Sequence, residues 1–194
     1  MLHRSTDTPA AIPTPRINKT VNGRRRACSW TARWITVLLL GSTGLGDALA
    51  EPARTPIAVV DFDYADTSGE VRDQSAFHSR NLQQFVGTIR TGLEQSGLFR
   101  VVPITCQPDP CSITATDPTD LLDAARRAGA RLLLFGGIHK MSTLVQWAKA
   151  QIIDVQTEKI VFDRLMTFRG DDDGAWRHAE GFLLKDITAQ SFPQ

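Results

Sequence analysis

Long hydrophobic runs are scarce in this 194-residue chain. The strongest, Ile35 to Leu40, runs into Gly41, Gly44 and Gly46 and falls well short of the roughly 20 apolar residues that a bilayer span needs. An excess of charge of one sign is lacking too, since 22 Lys+Arg stand against 21 Asp+Glu. Seven of the bases (Arg4, Arg16, Lys19, Arg24, Arg25, Arg26 and Arg33) but only two acids (Asp7 and Asp47) fall before residue 51, which leaves 15 bases and 19 acids beyond it, a net of −4. That balance supplies no basic stripe for phosphate neutralisation, so no nucleic-acid partner is expected. Repeats and low-complexity stretches are missing from residues 51–194, and with 42% hydrophobic and 22% charged residues the composition is that of an ordinary globular protein. There is no Gly-x-Ser-x-Gly elbow, no phosphate-cradling glycine loop after the first apolar run and no Cys/His dyad. No cofactor is expected from such a set.

Only three cysteines are present, and their placement depends on what the first 50 residues are. From Asn22 the chain reads NGRRRACSWTARW, ITVLLLGSTGLG and DALA before Glu51-Pro52, the basic, apolar and small-residue order of a secretory signal. Cleavage is expected after Ala50, giving a 1–50 leader and a single mature domain, 51–194, in the periplasm. Arg25-Arg26 lacks the hydrophobic pair of a twin-arginine signal. Cys28 precedes the apolar run, so it is no lipid acceptor, and no stable membrane anchor is expected after cleavage. Cys106 and Cys111, in CQPDPC, then lie in an oxidising compartment, where a disulfide is the expectation. Closing so small a ring stabilises by about 2 kcal/mol in the chain-entropy model. A redox pair would have two residues between its cysteines and sit at a helix start.

Ile57 to Tyr64 (IAVVDFDY) reads as a buried central strand. Leu82, Phe85, Val86, Ile89 and Leu93 recur at helical spacing, with Ser79 as the expected N-cap and Gly97 as the stop. Phe99 to Ile104 is a second strand that Pro103 marks as a strand end or edge. Asp117-Pro118-Thr119-Asp120 opens a helix that Gly129 ends. Arg131 to Ile138, Leu144 to Val155 and Lys159 to Phe168 follow as strands, the last with Ile160, Phe162, Met166 and Phe168 on one face. A terminal helix carries Trp176, Ala179, Leu183 and Ile187 on one stripe. The expected order is β-α-β-α-β-β-β-α, an α/β (α+β mixed-sheet) domain with parallel first strands and a C-terminal antiparallel meander.

Asp61-Phe62-Asp63 ends the first strand, as paired aspartates do in haloacid-dehalogenase-type phosphotransferases. Ala65 stands where that motif wants Thr or Val, so a phosphohydrolase using Asp61 and Asp63 is the alternative reading only. Asp171, Asp172 and Asp173 read as helix-start acids, with a divalent metal as the alternative. His78, His139 and His178 have no neighbour at metal-ligand spacing; His178 is expected at the surface and His139-Lys140 as a solvated strand tip. Gly136-Gly137, inside an apolar strand, marks a bulge or close contact, or with His139 a small-ligand site. Trp147, among Gln146, Lys149 and Gln151, is the candidate for a partner-binding surface.

IAVVDF (57–62), LEQSGLFRVV (93–102), AARRAGARLLLFGGIHK (124–140) and IIDVQTEKIVFDR (152–164) together resemble a family of exported bacterial proteins of unknown function. The pattern is similar to the amino-terminal domain of TolB and to the core of the curli-secretion lipoprotein CsgG, without the propeller of the one or the acceptor cysteine and pore-forming length of the other. The resemblance implies the fold, an envelope location and action through protein contacts. The expected function is a non-catalytic binding or assembly accessory of an envelope or periplasmic protein complex, with a small-ligand carrier as a further alternative.

Overall fold

The apolar runs assemble around a six-stranded mixed sheet in a computed structural model that describes residues 53–107 and 109–192. The leader and its cleavage site lie outside the described residues. The elements are β1 (Thr55–Val59), β2 (Asp63–Asp66), α1 (Ser75–Gln95), β3 (Phe99–Val102), α2 (Pro118–Arg127), β4 (Leu132–Lys140), β5 (Val145–Asp154), β6 (Lys159–Arg169) and α3 (Asp173–Ala189). Strand order is β3-β1-β4-β5-β6, with β2 also paired to β4. β1 runs parallel to β3 and β4, because helical crossovers return the chain to the same end of the sheet. β4, β5 and β6 form the antiparallel meander. The mixed α/β single domain expected from the sequence is the fold found.

Two local differences have one cause each. The run Ile57 to Tyr64 is two strands: Ile57–Val59 pair Leu132–Leu134 and Asp63–Asp66 pair Gly137–Lys140, so Val60, Asp61 and Phe62 stand opposite only Phe135 and Gly136. One extra residue makes a bulge, and the Asp61 N–H turns away to the Cys111 carbonyl at 2.7 Å. On β6 the register shifts so that Ile152 pairs Phe162 while Ile153 pairs Ile160. Val161 is the extra residue, and Ile160, expected in the core, is 54% exposed.

α1 and α3 cover one face of the sheet, burying Phe85, Ile89, Leu93, Trp176, Leu183 and Ile187 against Ile57, Leu134 and Ile152. α2 covers part of the other, where Leu121, Ala124 and Ala125 pack on Ala58, Val60, Val102 and Leu133. Ten residues of α2 make a rod of about 15 Å, whereas the eleven of β6 extend to about 36 Å. Among the described residues, α2 packs on the β1, β3 and β4 part of that face, and on β6 Leu165 is 61% exposed. Among the described residues, no helix is long and apolar enough to cross a membrane.

Candidate functional site

Pairing of β4 with β5 sets His139 opposite Trp147 and Gly137 opposite Lys149, and β6 adds Leu165 opposite Lys149. All of these side chains rise from the α2 face of the sheet, beyond the end of α2. Buried and half-buried positions alternate without a break along β5. Gln146 obscures that alternation in the sequence, since it is the polar side chain that points inward. Trp147 accordingly stands on the half-covered side, its ring in edge contact with His139 at 5.1 Å between centroids.

His139, Trp147 and Lys149 border a cavity of about 360 Å³, walled by Ile113 and Thr114 and floored by Phe135, Gly136 and Gly137. Gly136 is required by close packing: a Cβ there would meet the Lys149 carbonyl oxygen at 2.2 Å and the Phe62 ring at 2.9 Å. At Gly137 a Cβ would come within 3.0 Å of the Asp63 carbonyl oxygen, so the floor is bare backbone. The Lys149 ammonium is paired with Asp163, which Gln151 also reaches at 3.1 Å. Thr67 Oγ1 holds His139 Nε2 at 2.7 Å. The Thr114 hydroxyl donates to Asp63 Oδ1, while the buried Oδ2 has no hydrogen-bond partner among the described residues. Ile113 at 44% and Leu165 at 61% exposure extend the apolar surface beyond the cavity. Trp147 and the Gly136, Gly137 and His139 set, separate candidates in the sequence, thus line one cavity.

Asp61 and Asp63 do not share a cavity. Asp61, carried outward by the bulge, accepts from Arg90 Nη2 at 3.0 Å, and Arg90 also donates to the Val59 carbonyl at 2.8 Å. Asp63 faces Thr114 on the other side of the break. Asp171, Asp172 and Asp173 likewise part company. Asp172 caps α3, accepting from Ala175 N at 2.8 Å, and Asp173 reaches Arg80 at 3.9 Å. Asp171 is no helix-start acid: only 10% exposed at its side chain, it receives Lys140 Nζ at 2.5 Å and His78 Nε2 at 3.0 Å. Among the described residues, no group of three or more His, Cys, Asp or Glu could hold a metal ion.

That arrangement overturns the solvated tip expected at His139-Lys140. Lys140 is fully buried on the α1/α3 face, with Glu70 Oε2 as a second acceptor at 2.5 Å. Burial alone would lower its pKa, but the bonds to Asp171 and Glu70 outweigh that and raise it. Burial would likewise raise Asp171, yet Lys140 and His78 hold it below the ordinary carboxylate range. Gln146 Nε2 completes the cluster at 3.1 Å from Asp171, and Tyr64 stacks on His78 at 4.7 Å. Burial first, then the Asp66 charge, pushes the Tyr64 phenol above its usual range. His178 is exposed, as expected. Cys106 and Cys111 are joined, with their Cα atoms 5.2 Å apart.

Residues 55–188 match the family described as "Protein of unknown function (DUF2380)". No curated protein matches the chain. Among solved structures, the LpoB C-terminal domain from Salmonella enterica is similar at 18% identity, covering 59% of this chain and 82% of that one, with a TM-score of 0.42. A PelC dodecamer from Paraburkholderia phytofirmans is similar at 15% identity over 73% of this chain and 90% of that one, TM-score 0.46. TolB from Acinetobacter baumannii is similar at 17% identity over 76% of this chain and 31% of that one, TM-score 0.43. Likenesses at this level leave the function to the chain's own geometry.

Proposed function

The chain belongs to that family of proteins of unknown function, and from this premise we propose that it is a non-catalytic accessory of the cell envelope that binds a protein partner. The observation that carries the reading is the part of the α2 face that the described residues leave open, where Trp147 and Ile113 line a cavity and Leu165 adds exposed apolar surface beside it. Exposed aromatic and aliphatic groups grouped on one face favour association, since burying them releases water at about 25 cal/mol per Å². The polar groups beside them, Lys149, Asp163 and Gln151, already satisfy one another and make a suitable rim. The expected leader and the Cys106–Cys111 disulfide support the periplasm as the compartment.

The test is capture of the tagged protein from cross-linked periplasm, with and without the pair of changes Trp147→Ser and Leu165→Lys. Leu165 is exposed and Trp147 half-buried at the cavity, and the melting temperature of the variant, measured alongside, shows that it is folded. Stoichiometric recovery of a partner by the parent and its loss in the variant support the reading. Equal recovery by both removes the face from the function. The cavity favours a small-ligand carrier as the second reading, its about 360 Å³ lying within the usual range for small-molecule sites. A parent protein that emerges alone and is stabilised by a small molecule would put the carrier first.

A further inference from the structure

The two edges of the sheet are unlike. The β3 edge is four residues long, runs into Pro103 and has its Val101 N–H occupied by Glu94 Oε2 at 2.6 Å. The β6 edge is eleven residues long, and no strand of the described residues pairs with its outer side. The Gly170 N–H donates to the Leu144 carbonyl at 3.0 Å, which makes these two a hydrogen-bonded pair. Such pairs recur at every second residue, so the backbones of Phe162, Arg164, Met166 and Phe168 turn to β5 and those of Asp163, Leu165, Thr167 and Arg169 turn outward. Among the described residues, nothing bonds to these outward N–H and C=O groups. An open edge of this kind is a template for another strand.

The side chains along the edge favour one occupant. The bulge at Val161 interrupts the edge at one end and Gly170, with φ at 102°, ends it at the other, so the regular stretch is 163–169 with Met166 at its midpoint. Asp163, Leu165, Thr167 and Arg169 are all exposed. Arg169 has no ion pair among the described residues, and the Asp163 carboxylate keeps lone pairs beyond those that Lys149 and Gln151 use. If two copies of the strand run antiparallel about a two-fold axis at Met166, Asp163 stands opposite Arg169 of the second copy and Leu165 opposite its Thr167, each pair occurring twice. An axis at Leu165 instead sets Asp163 against Thr167 and Arg169 against the bulge. An axis at Thr167 sets Arg169 against Leu165 and leaves Asp163 beyond the strand end. Both lose the charge match. We infer that the chain pairs with a second copy of itself through β6, antiparallel and centred on Met166. Each copy offers one such edge, so the pairing closes as a dimer. It extends the sheet across both copies with the two α2 faces on one side. This inference goes beyond the docking reading and does not rest on it.

Sedimentation equilibrium of the full-length protein is expected to show a concentration-dependent monomer–dimer equilibrium. Arg169→Asp sets like charges opposite each other twice and should weaken the dimer about tenfold. Thr167→Pro removes an outward N–H that bonds nothing within the chain, a change that an edge strand accommodates, and should weaken it by a similar factor. The register is read by oxidation in a Cys28→Ser background. Leu165→Cys chains mixed with Thr167→Cys chains should form a disulfide-linked dimer, since opposed residues of a hydrogen-bonded pair lie about 5.5 Å apart at their Cα atoms. Leu165→Cys alone, whose two sulfurs are set diagonally, should form less. A chain that stays monomeric at about 1 mM, a dimer unmoved by both edge variants, or cross-linking of Leu165→Cys alone as strong as that of the mixture would overturn the inference. Association is measured first on the unaltered protein, so that result stands even if a variant folds poorly. A cross-link of the chain to itself belongs to this pairing and one to another protein to the docking reading, so the two fail separately.

Discussion

At residue scale the cluster around Lys140 sets how the domain responds to pH. A fully buried ammonium between Asp171 and Glu70 persists because each charge is taken out of water together with its partner. Asp171 is held below its unfolded pKa, so its contribution is fully present above the ordinary carboxylate value and is lost as pH falls through the lower folded one. Lys140 is raised. Its contribution is present below the ordinary lysine value and is lost as pH rises through the higher folded one. Urea midpoints are therefore expected to fall on acidification below about pH 4, with a shallower fall in Asp171→Asn. Lys140→Met strands two carboxylates and is expected to cost about 3 to 5 kcal/mol in urea unfolding at neutral pH. A cost under about 1 kcal/mol would mean that the ammonium is not engaged. Lys140 shares the two-residue phase of Leu132, Leu134 and Ile138, so its inward direction was legible from the strand. Its partners come from loops 70 and 31 residues away in sequence, which no local pattern reports.

At the scale of elements, the three helices of the described residues differ in how they begin. α2 has Asp117 accepting from Thr119 N at 2.8 Å with Pro118 behind it, and α3 has Asp172. α1 starts at Ser75 without a side-chain cap, because its N-cap Gln74 donates to Glu70 instead. The sequence points to Ser79 as that cap because His78 and Asn81, both buried, look polar and make the apolar stripe seem to begin later. The two positions give opposite expectations. Asp172→Ala should cost about 1 kcal/mol. Ser79→Ala, exposed within the helix, should be neutral or slightly stabilising. Equilibrium unfolding of both variants checks this, and a loss of about 1 kcal/mol at Ser79 would restore it as the cap. Strands are legible where hydrophobic runs are continuous and not at the bulges. One inserted residue, at Val60–Phe62 or at Val161, reverses the side-chain direction beyond it, as Ile160 shows, and leaves composition unchanged.

For the whole molecule, the unequal covering of the two sheet faces is the feature from which function is argued. Helix starts and stops, the hairpin at Gln156-Thr157-Glu158 and the rule that helical crossovers give parallel neighbours make the mixed sheet legible in the sequence. The close cysteine spacing in CQPDPC made the disulfide legible as well. The site was legible only in pieces: Trp147, His139 and Gly136-Gly137 each drew notice, but their convergence depends on the β4–β5 register, and Ile113, Thr114 and Asp63 reach it from elsewhere in the fold. The most direct measurement places a photo-crosslinking amino acid in living cells either at Leu165, on the uncovered half-face, or at Phe182, exposed on α3. The docking account predicts a discrete protein adduct from position 165 and none from 182. No adduct from 165, or the same adduct from both positions, would contradict it.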